Sequence, residues 1–322
     1  MGYWQWVQGE GLGAAGSQRR PCLKVGGTVT AHDAPGFGLT ERPSGLDAYT
    51  SAFNGRLGRE VMGLQESPRD SSPGPTPIHV LIGHSMGGAA AVEEVLRQPE
   101  GVGCVVLVSP AVIAVSSGGG AGGSPHAWRR WLGGLWRCLG VAASSAVGVL
   151  LIALQPLIVW LLRTLVRSRR FWERGIGSAW YDPKRLPAEL VDAYRAPQLV
   201  KGWESGMVRF VRAKVAGTGG ALSRLRRAFE PGQLLSTAER FARTAREHNI
   251  RVLILHGEGD MLVPASNSRR LAALLGPQAD LIEIPRCGHQ PQEEMPERFV
   301  SWVADFISSS QERDAEKAHS SE

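Results

Sequence analysis

Cysteine is scarce in this 322-residue chain: Cys22, Cys104, Cys138 and Cys287 lie far apart, with no C-x-x-C pair. That spacing argues against a disulfide framework and a cysteine-based zinc cluster, and it makes a reducing compartment the default. No metal site and no cofactor signature is read. Residues 1–16 lack a basic stretch followed by an apolar one, so no secretory signal is read and an intracellular setting is expected. A Met-Gly start is present, but Trp6 stands where a myristoylation signal needs Ser or Thr. There is no internal repeat. With 43% hydrophobic and 20% charged residues, the composition also excludes a disordered chain or a coiled coil.

Acidic residues are few in one region only. The chain carries 36 Lys/Arg against 30 Asp/Glu, a net charge of +6. Residues 125–229 hold 18 Lys/Arg against 5 Asp/Glu, net +13, which leaves the remainder at −7. Seven of the ten tryptophans (Trp128, Trp131, Trp136, Trp160, Trp172, Trp180 and Trp203) fall in the same stretch. Basicity therefore belongs to an inserted segment, not to the whole chain.

Around that segment, short apolar runs alternate with helical patterns. The short run 28–31, rich in β-branched residues, reads as a strand that ends in the turn His32-Asp33-Ala34-Pro35-Gly36-Phe37-Gly38. After a Ser/Pro/Gly-rich loop over 67–77, residues 78–82 read as a strand buried on both faces. Residues 88–97 read as a helix, 102–108 as a strand, and the Gly-rich 116–124 as a linker. Regular alternation resumes at Ser236-Thr237-Ala238-Glu239, a capping box. A strand over 251–255, a helix over 267–275, a strand over 281–284 and a helix over 296–307 follow, with a frayed polar tail after Ser308. This pattern predicts an α/β fold, a mostly parallel sheet with helices on both faces. The expected division is 1–110 for the first part of the core, 111–235 for an inserted helical cap, 236–308 for the second part and 309–322 for the tail.

The chemistry-bearing motif is Gly83-His84-Ser85-Met86-Gly87, a G-x-S-x-G set between a predicted strand and a predicted helix. A serine at such a turn has strained backbone angles, and Gly83 and Gly87 are expected to leave room for neighbouring backbone. The turn lifts the Ser85 hydroxyl clear of the sheet and aims the Met86 N–H, at the helix start, toward an oxyanion. A serine hydroxyl needs a histidine base, oriented in turn by a carboxylate. Asp260, in His256-Gly257-Glu258-Gly259-Asp260, and His289, in Cys287-Gly288-His289, each follow a strand, where sites in open α/β sheets form. Against these roles, Asp260 also fits a helix cap and His289 a turn residue. His32 and Asp33 read as structural, Cys287 as a small apolar filler, and His84 as a residue that lines the substrate pocket or packs beside it.

The order Ser85, Asp260, His289 and the motifs around them resemble the α/β-hydrolase superfamily, over residues 28–307 apart from the insertion. The matching pieces include Asp33 to Gly38, Gly83 to Gly88, His256 to Asp260 with Val263-Pro264, and Gly288-His289 with Glu294-Met295-Pro296-Glu297. The resemblance implies that Ser85 is the nucleophile, His289 the base, Asp260 its orienting acid and Met86 an oxyanion donor, under a helical cap. Within the insertion, Tyr194-Arg195-Ala196-Pro197 and Lys201-Gly202-Trp203 are similar to the family's cap helices. Serine at position 85 argues against the epoxide-hydrolase and haloalkane-dehalogenase branches, which attack with a carboxylate.

The chain departs from that pattern before Ser85. No His-Gly occurs there to supply a second oxyanion N–H, and the amino-terminal strands are short of the family's number. Residues 3–7 with the glycine loop 9–13 read either as a makeshift replacement or as no replacement. Losing one such donor costs about 3 kcal/mol of transition-state stabilisation.

Within the insertion, residues 138–162 carry no charged side chain, with Arg129, Arg130 and Arg137 before them and Arg163, Arg167, Arg169 and Arg170 after. Three readings stand: a transmembrane helix, a buried apolar cap, and a cap helix or re-entrant hairpin broken near Pro156 that dips into a membrane surface, with arginines on lipid headgroups and tryptophan at the interface. A single span is topologically awkward, since both ends of the insertion must rejoin one sheet. Nucleic acid is disfavoured, because the basic residues flank an apolar run and do not interleave along a polar face. The expected function is hydrolysis of an ester or related acyl bond in a small lipophilic substrate. The alternative is a catalytically weak or silent protein of the same fold that binds a small apolar ligand or a membrane. Oligomeric state is not readable from the sequence.

Overall fold

The computed structural model describes residues 29–63, 79–113, 153–216 and 236–320. Among these residues four parallel strands form a sheet: β1 (His79–His84), β2 (Val102–Val108), β3 (Arg251–Gly257) and β4 (Ala279–Ile284), in the order β1-β2-β3-β4. The helices before the insertion are α1 (Ser51–Val61) and α2 (Met86–Arg97). The insertion contributes α3 (Gln155–Arg167), α4 (Arg169–Gly177), α5 (Ala188–Arg195) and α6 (Trp203–Ala216). After it come α7 (Thr237–Glu247), α8 (Ala265–Leu275), the single turn α9 (Pro291–Glu294) and α10 (Pro296–Ser320).

The strands are continuous apolar runs because both sheet faces are covered. Val105, Leu107, Val252 and Ile254 pack against Val92 and Val95 of α2, Phe241 of α7 and Leu271 of α8. Their alternate neighbours Val106, Val108, Leu253 and Leu255 pack on the other face against Phe299, Val303 and Phe306 of α10. This is the period-two alternation of a strand, with both sets apolar. The predicted capping box is present in full, with the Ser236 hydroxyl accepting the Glu239 N–H and the Glu239 carboxylate accepting the Ser236 N–H.

Three expectations are corrected. Residues 29–33 form no strand, because no described strand lies alongside to take up their hydrogen bonds. The run up to Ile82 is not buried on both faces: β1 lies at an edge of the described sheet, and Ile82 is 49% exposed. The segment after Ser308 is not frayed, since α10 continues to Ser320. Arg251 on β3 holds the helix just past Ser308, donating to Ser309 Oγ at 3.1 Å and to Ser310 Oγ at 3.3 Å.

Candidate active site

Register decides where the site forms. His84 pairs with Val108, Val108 with Leu255 and Gly257 with Ile284, so all four strands end at one edge. The loops that follow β1, β3 and β4 carry Ser85, Asp260 and His289: the Ser85 N–H donates to Val108 O at the end of β2, and the Gly259 N–H after β3 donates to Cys287 O after β4.

Ser85 has φ 52° and ψ −115°, a backbone conformation that costs a non-glycine residue about 1–3 kcal/mol. The expected room around the turn is needed at one glycine only. A Cβ on Gly83 would lie 2.5 Å from Gly87 O and 2.7 Å from Gly88 Cα, whereas one on Gly87 would meet nothing within 4 Å. Gly83 is thus the residue that lets α2 start so close to β1. Met86 is the first residue of α2, and its N–H is among the four amides that a helix leaves without an intrahelical acceptor.

Asp260 and His289 meet directly. His289 Nδ1 donates to Asp260 Oδ2 at 2.7 Å, which leaves Nε2 as the ring's basic nitrogen. The other oxygen, Oδ1, accepts the N–H groups of Leu262 at 2.8 Å and Val263 at 2.9 Å. Asp260 is therefore not a helix cap, since α8 begins after Pro264. Burial opposes its ionisation, but hydrogen bonds from His256, His289 and the Val263 N–H outweigh it. The carboxyl is held well below its usual range.

His289 is fixed on its backbone as well. Its N–H donates to Ala179 O of the insertion at 2.6 Å, and its carbonyl accepts from His84 Nε2 at 2.8 Å. A carbonyl can only accept, so His84 carries its proton on Nε2. The two rings pack with centroids 4.8 Å apart. Burial first, then the neighbouring His289, lower the His84 pKa to about 4, so this imidazole is neutral at pH 7. The structure places His84 between the Ser85 turn and the His289 loop. Ser85 itself is covalently next to this contact, yet its hydroxyl makes no hydrogen bond among the described residues.

Two supporting residues were not picked out from sequence. His256 is fully buried, with Nε2 at 2.9 Å from Val263 O and 3.2 Å from Asp260 Oδ2, and Nδ1 at 2.7 Å from Ser268 Oγ. Two acceptors at Nε2 assign the proton there, so Nδ1 accepts from the Ser268 hydroxyl. Glu294 accepts the Gly288 N–H at 2.7 Å and the Tyr181 N–H at 2.9 Å, tying the His289 loop to the insertion. Only the position of His256 four residues before Asp260 hinted at its role, and nothing in the spacing linked Glu294 to Tyr181. His32 bonds Asn54 Oδ1 at 3.0 Å and Asp33 accepts the Leu39 N–H at 3.1 Å, the structural parts expected of them. Cys287 is buried 3.8 Å from Glu294 Oε1, and burial pushes its thiol pKa far up, as suits an inert filler.

The glycine loop 9–13 and the junction 114–152 lie outside the described residues, as does most of 138–162. Among the described residues, no group of three or more His, Cys, Asp or Glu could hold a metal, and no helix is long and apolar enough to cross a membrane.

A strained serine at a strand-to-helix turn, beside a carboxylate–imidazole pair at the same sheet edge, can perform nucleophilic acyl chemistry. Comparisons with known proteins agree with the architecture. An uncharacterized hydrolase of Bacillus subtilis (strain 168), YugF, is 26% identical over 299 residues, 89% of this chain and 82% of that protein. A 2-hydroxy-6-oxononadienedioate/2-hydroxy-6-oxononatrienedioate hydrolase of Cupriavidus pinatubonensis is 26% identical over 312 residues, 94% of this chain and 85% of the relative. In fold, the chain is similar to a 2-hydroxy-6-oxo-6-phenylhexa-2,4-dienoate hydrolase from Rhodococcus sp. strain RHA1. The TM-score is 0.51 at 19% identity, covering 86% of this chain and 78% of that one. The model of the alpha/beta hydrolase family matches residues 1–302, and the chain belongs to that family.

Proposed function

We propose that the chain is a serine hydrolase that cleaves an ester or related acyl bond of a lipophilic substrate, with Ser85, His289 and Asp260 as its triad and Met86 as an oxyanion donor. The observation that carries this reading is the 2.7 Å His289–Asp260 bond beside the strained Ser85 turn. Asp260 fixes the Nδ1–H tautomer of His289. Nε2 takes the Ser85 proton as Oγ attacks the substrate carbonyl, and the Met86 N–H receives the negative charge that develops on the carbonyl oxygen. His289 returns the proton to the leaving group, and water then repeats the sequence on the acyl-enzyme. The Ser85–His289 hydrogen bond closes as substrate fills the site, as such bonds commonly do. Apolar residues of the insertion suit a lipophilic acyl group.

A fluorophosphonate probe should label the folded protein at Ser85, and Ser85→Ala should abolish labelling and lower kcat by at least about 10⁴-fold. Wild-type protein that stays unlabelled while a small apolar ligand raises its Tm would favour the silent binder instead. A second reading is favoured by the Cupriavidus relative, named for hydrolysis of a 2-hydroxy-6-oxo dienedioate: the same serine could cut a carbon–carbon bond next to a ketone. The ratio of kcat/KM for a 4-nitrophenyl acyl ester and for such a ring-fission product separates the two.

A further inference from the structure

We propose that the outward face of α3 and the start of α4 is a docking surface for an anionic lipid bilayer. The inner face of α3 is anchored to the protein. Val166 is buried, its carbonyl accepts the Trp172 indole N–H, and Arg163 is ion-paired with the buried Glu204 of α6. The opposite face is apolar and open to solvent: Leu157 is 57% exposed, Trp160 63%, Leu161 48% and, on α4, Phe171 40%. Leu157, Trp160, Leu161 and Thr164 fall on one side of the helix by the three- and four-residue rule, and Arg167 sits at the rim below Trp160. Isolated exposed leucines need no explanation, but a contiguous stripe topped by a tryptophan does.

Charge says what covers it. Arg167, Arg170 and Arg174 are exposed and have no ion-pair partner among the described residues, whereas Arg169 is committed to Glu173 and Asp192. No Asp or Glu occurs from residue 138 to residue 172. An apolar stripe with tryptophan and a rim of exposed guanidinium groups matches the layers of an anionic bilayer: acyl chains for the leucines, the interface for the indole, phosphates for the arginines. A second copy of the chain would instead bring the same arginines face to face across a twofold axis, a like-charge cost.

The test is co-sedimentation of the full chain with vesicles of phosphatidylcholine, with and without phosphatidylserine, at low and high salt. Binding is expected to the phosphatidylserine vesicles and to weaken with salt. The Arg167→Glu/Arg170→Glu variant, altered only at exposed positions, should bind at least about 25-fold more weakly, near fivefold for each arginine lost. The Leu157→Ser/Trp160→Ser variant should lose at least about tenfold with its Tm unchanged. Absence of wild-type binding, or binding that neither variant weakens, overturns the proposal. So does a wild-type dimer in analytical ultracentrifugation that Leu157→Ser/Trp160→Ser turns into a monomer. A fall in Tm for that variant without wild-type binding assigns the face to another part of the chain and also overturns it. Because the readout is binding and not turnover, the outcome is independent of whether Ser85 is the nucleophile.

Discussion

At the scale of single residues, His84 links the two halves of the site, and its titration should be visible in stability. Its imidazole has an ordinary pKa of 6.5 and is lowered to about 4 in the folded chain, so the unfolded state binds the proton more readily between those values. Stability is then full above about pH 6.5 and falls as pH drops toward about 4, by on the order of 3 kcal/mol. Urea unfolding across this range should show the slope in wild type and a flatter one in His84→Gln, which keeps a donor for the His289 carbonyl. Identical slopes would remove His84 as the source. The neighbouring Asp260 acts at lower pH, where its depressed carboxyl adds a further loss as it protonates. Residue identity made Ser85, Asp260 and His289 readable in the chain, because each stands in a short motif after a strand. His256 was not, since a histidine at the end of a buried strand has the same local pattern whether or not its ring reaches a carboxylate.

At the scale of elements, the positioning of the Ser85 helix depends on a charge cluster in the interior. Arg59 on α1 pairs with Glu94 on α2, both buried, and Arg97 adds a contact to the same carboxylate at 2.9 Å. The pair holds α1 against the helix that opens with Met86. Glu94→Gln should destabilise the chain by about 3–5 kcal/mol, because it leaves the Arg59 guanidinium buried without its counter-charge. Chemical denaturation measures this directly. Adding Arg59→Met to the same chain should recover part of the loss, and a double variant as unstable as two independent losses would rule out the pairing as the cause. Element types were legible because buried parallel strands and amphipathic helices impose different periods. Boundaries were less so: β3 extends to Gly257 because it pairs there with Ile284 of β4, and α10 runs on to Ser320, past the apolar pattern.

At the scale of the whole molecule, the insertion is wired to the His289 loop. Besides the Ala179 and Tyr181 contacts, the Trp180 indole N–H donates to Gln290 Oε1 at 2.9 Å, and Gln290 Nε2 donates to the Tyr194 hydroxyl at 3.0 Å. Gly288 permits this approach, because a Cβ there would lie 2.4 Å from Ala179 O and 2.7 Å from Tyr181 N. Gly288→Ala should therefore displace His289 by a fraction of an ångström to an ångström and lower kcat by about 10²-fold while the sheet stays folded. Turnover measured beside far-UV circular dichroism checks this; unchanged turnover would mean that the insertion and the histidine are not coupled.

The sequence by itself determined the parallel α/β architecture, the strand ends that carry Ser85, Asp260 and His289, and the basic character of the insertion. Those follow from periodicity, turn chemistry and charge, which are properties of neighbours along the chain. Only the tertiary structure decided that Asp260 bonds His289, that His84 and His256 brace them, and that the insertion clasps the histidine loop. These contacts join residues up to 205 positions apart, as between His84 and His289, and strand register, not local sequence, sets them.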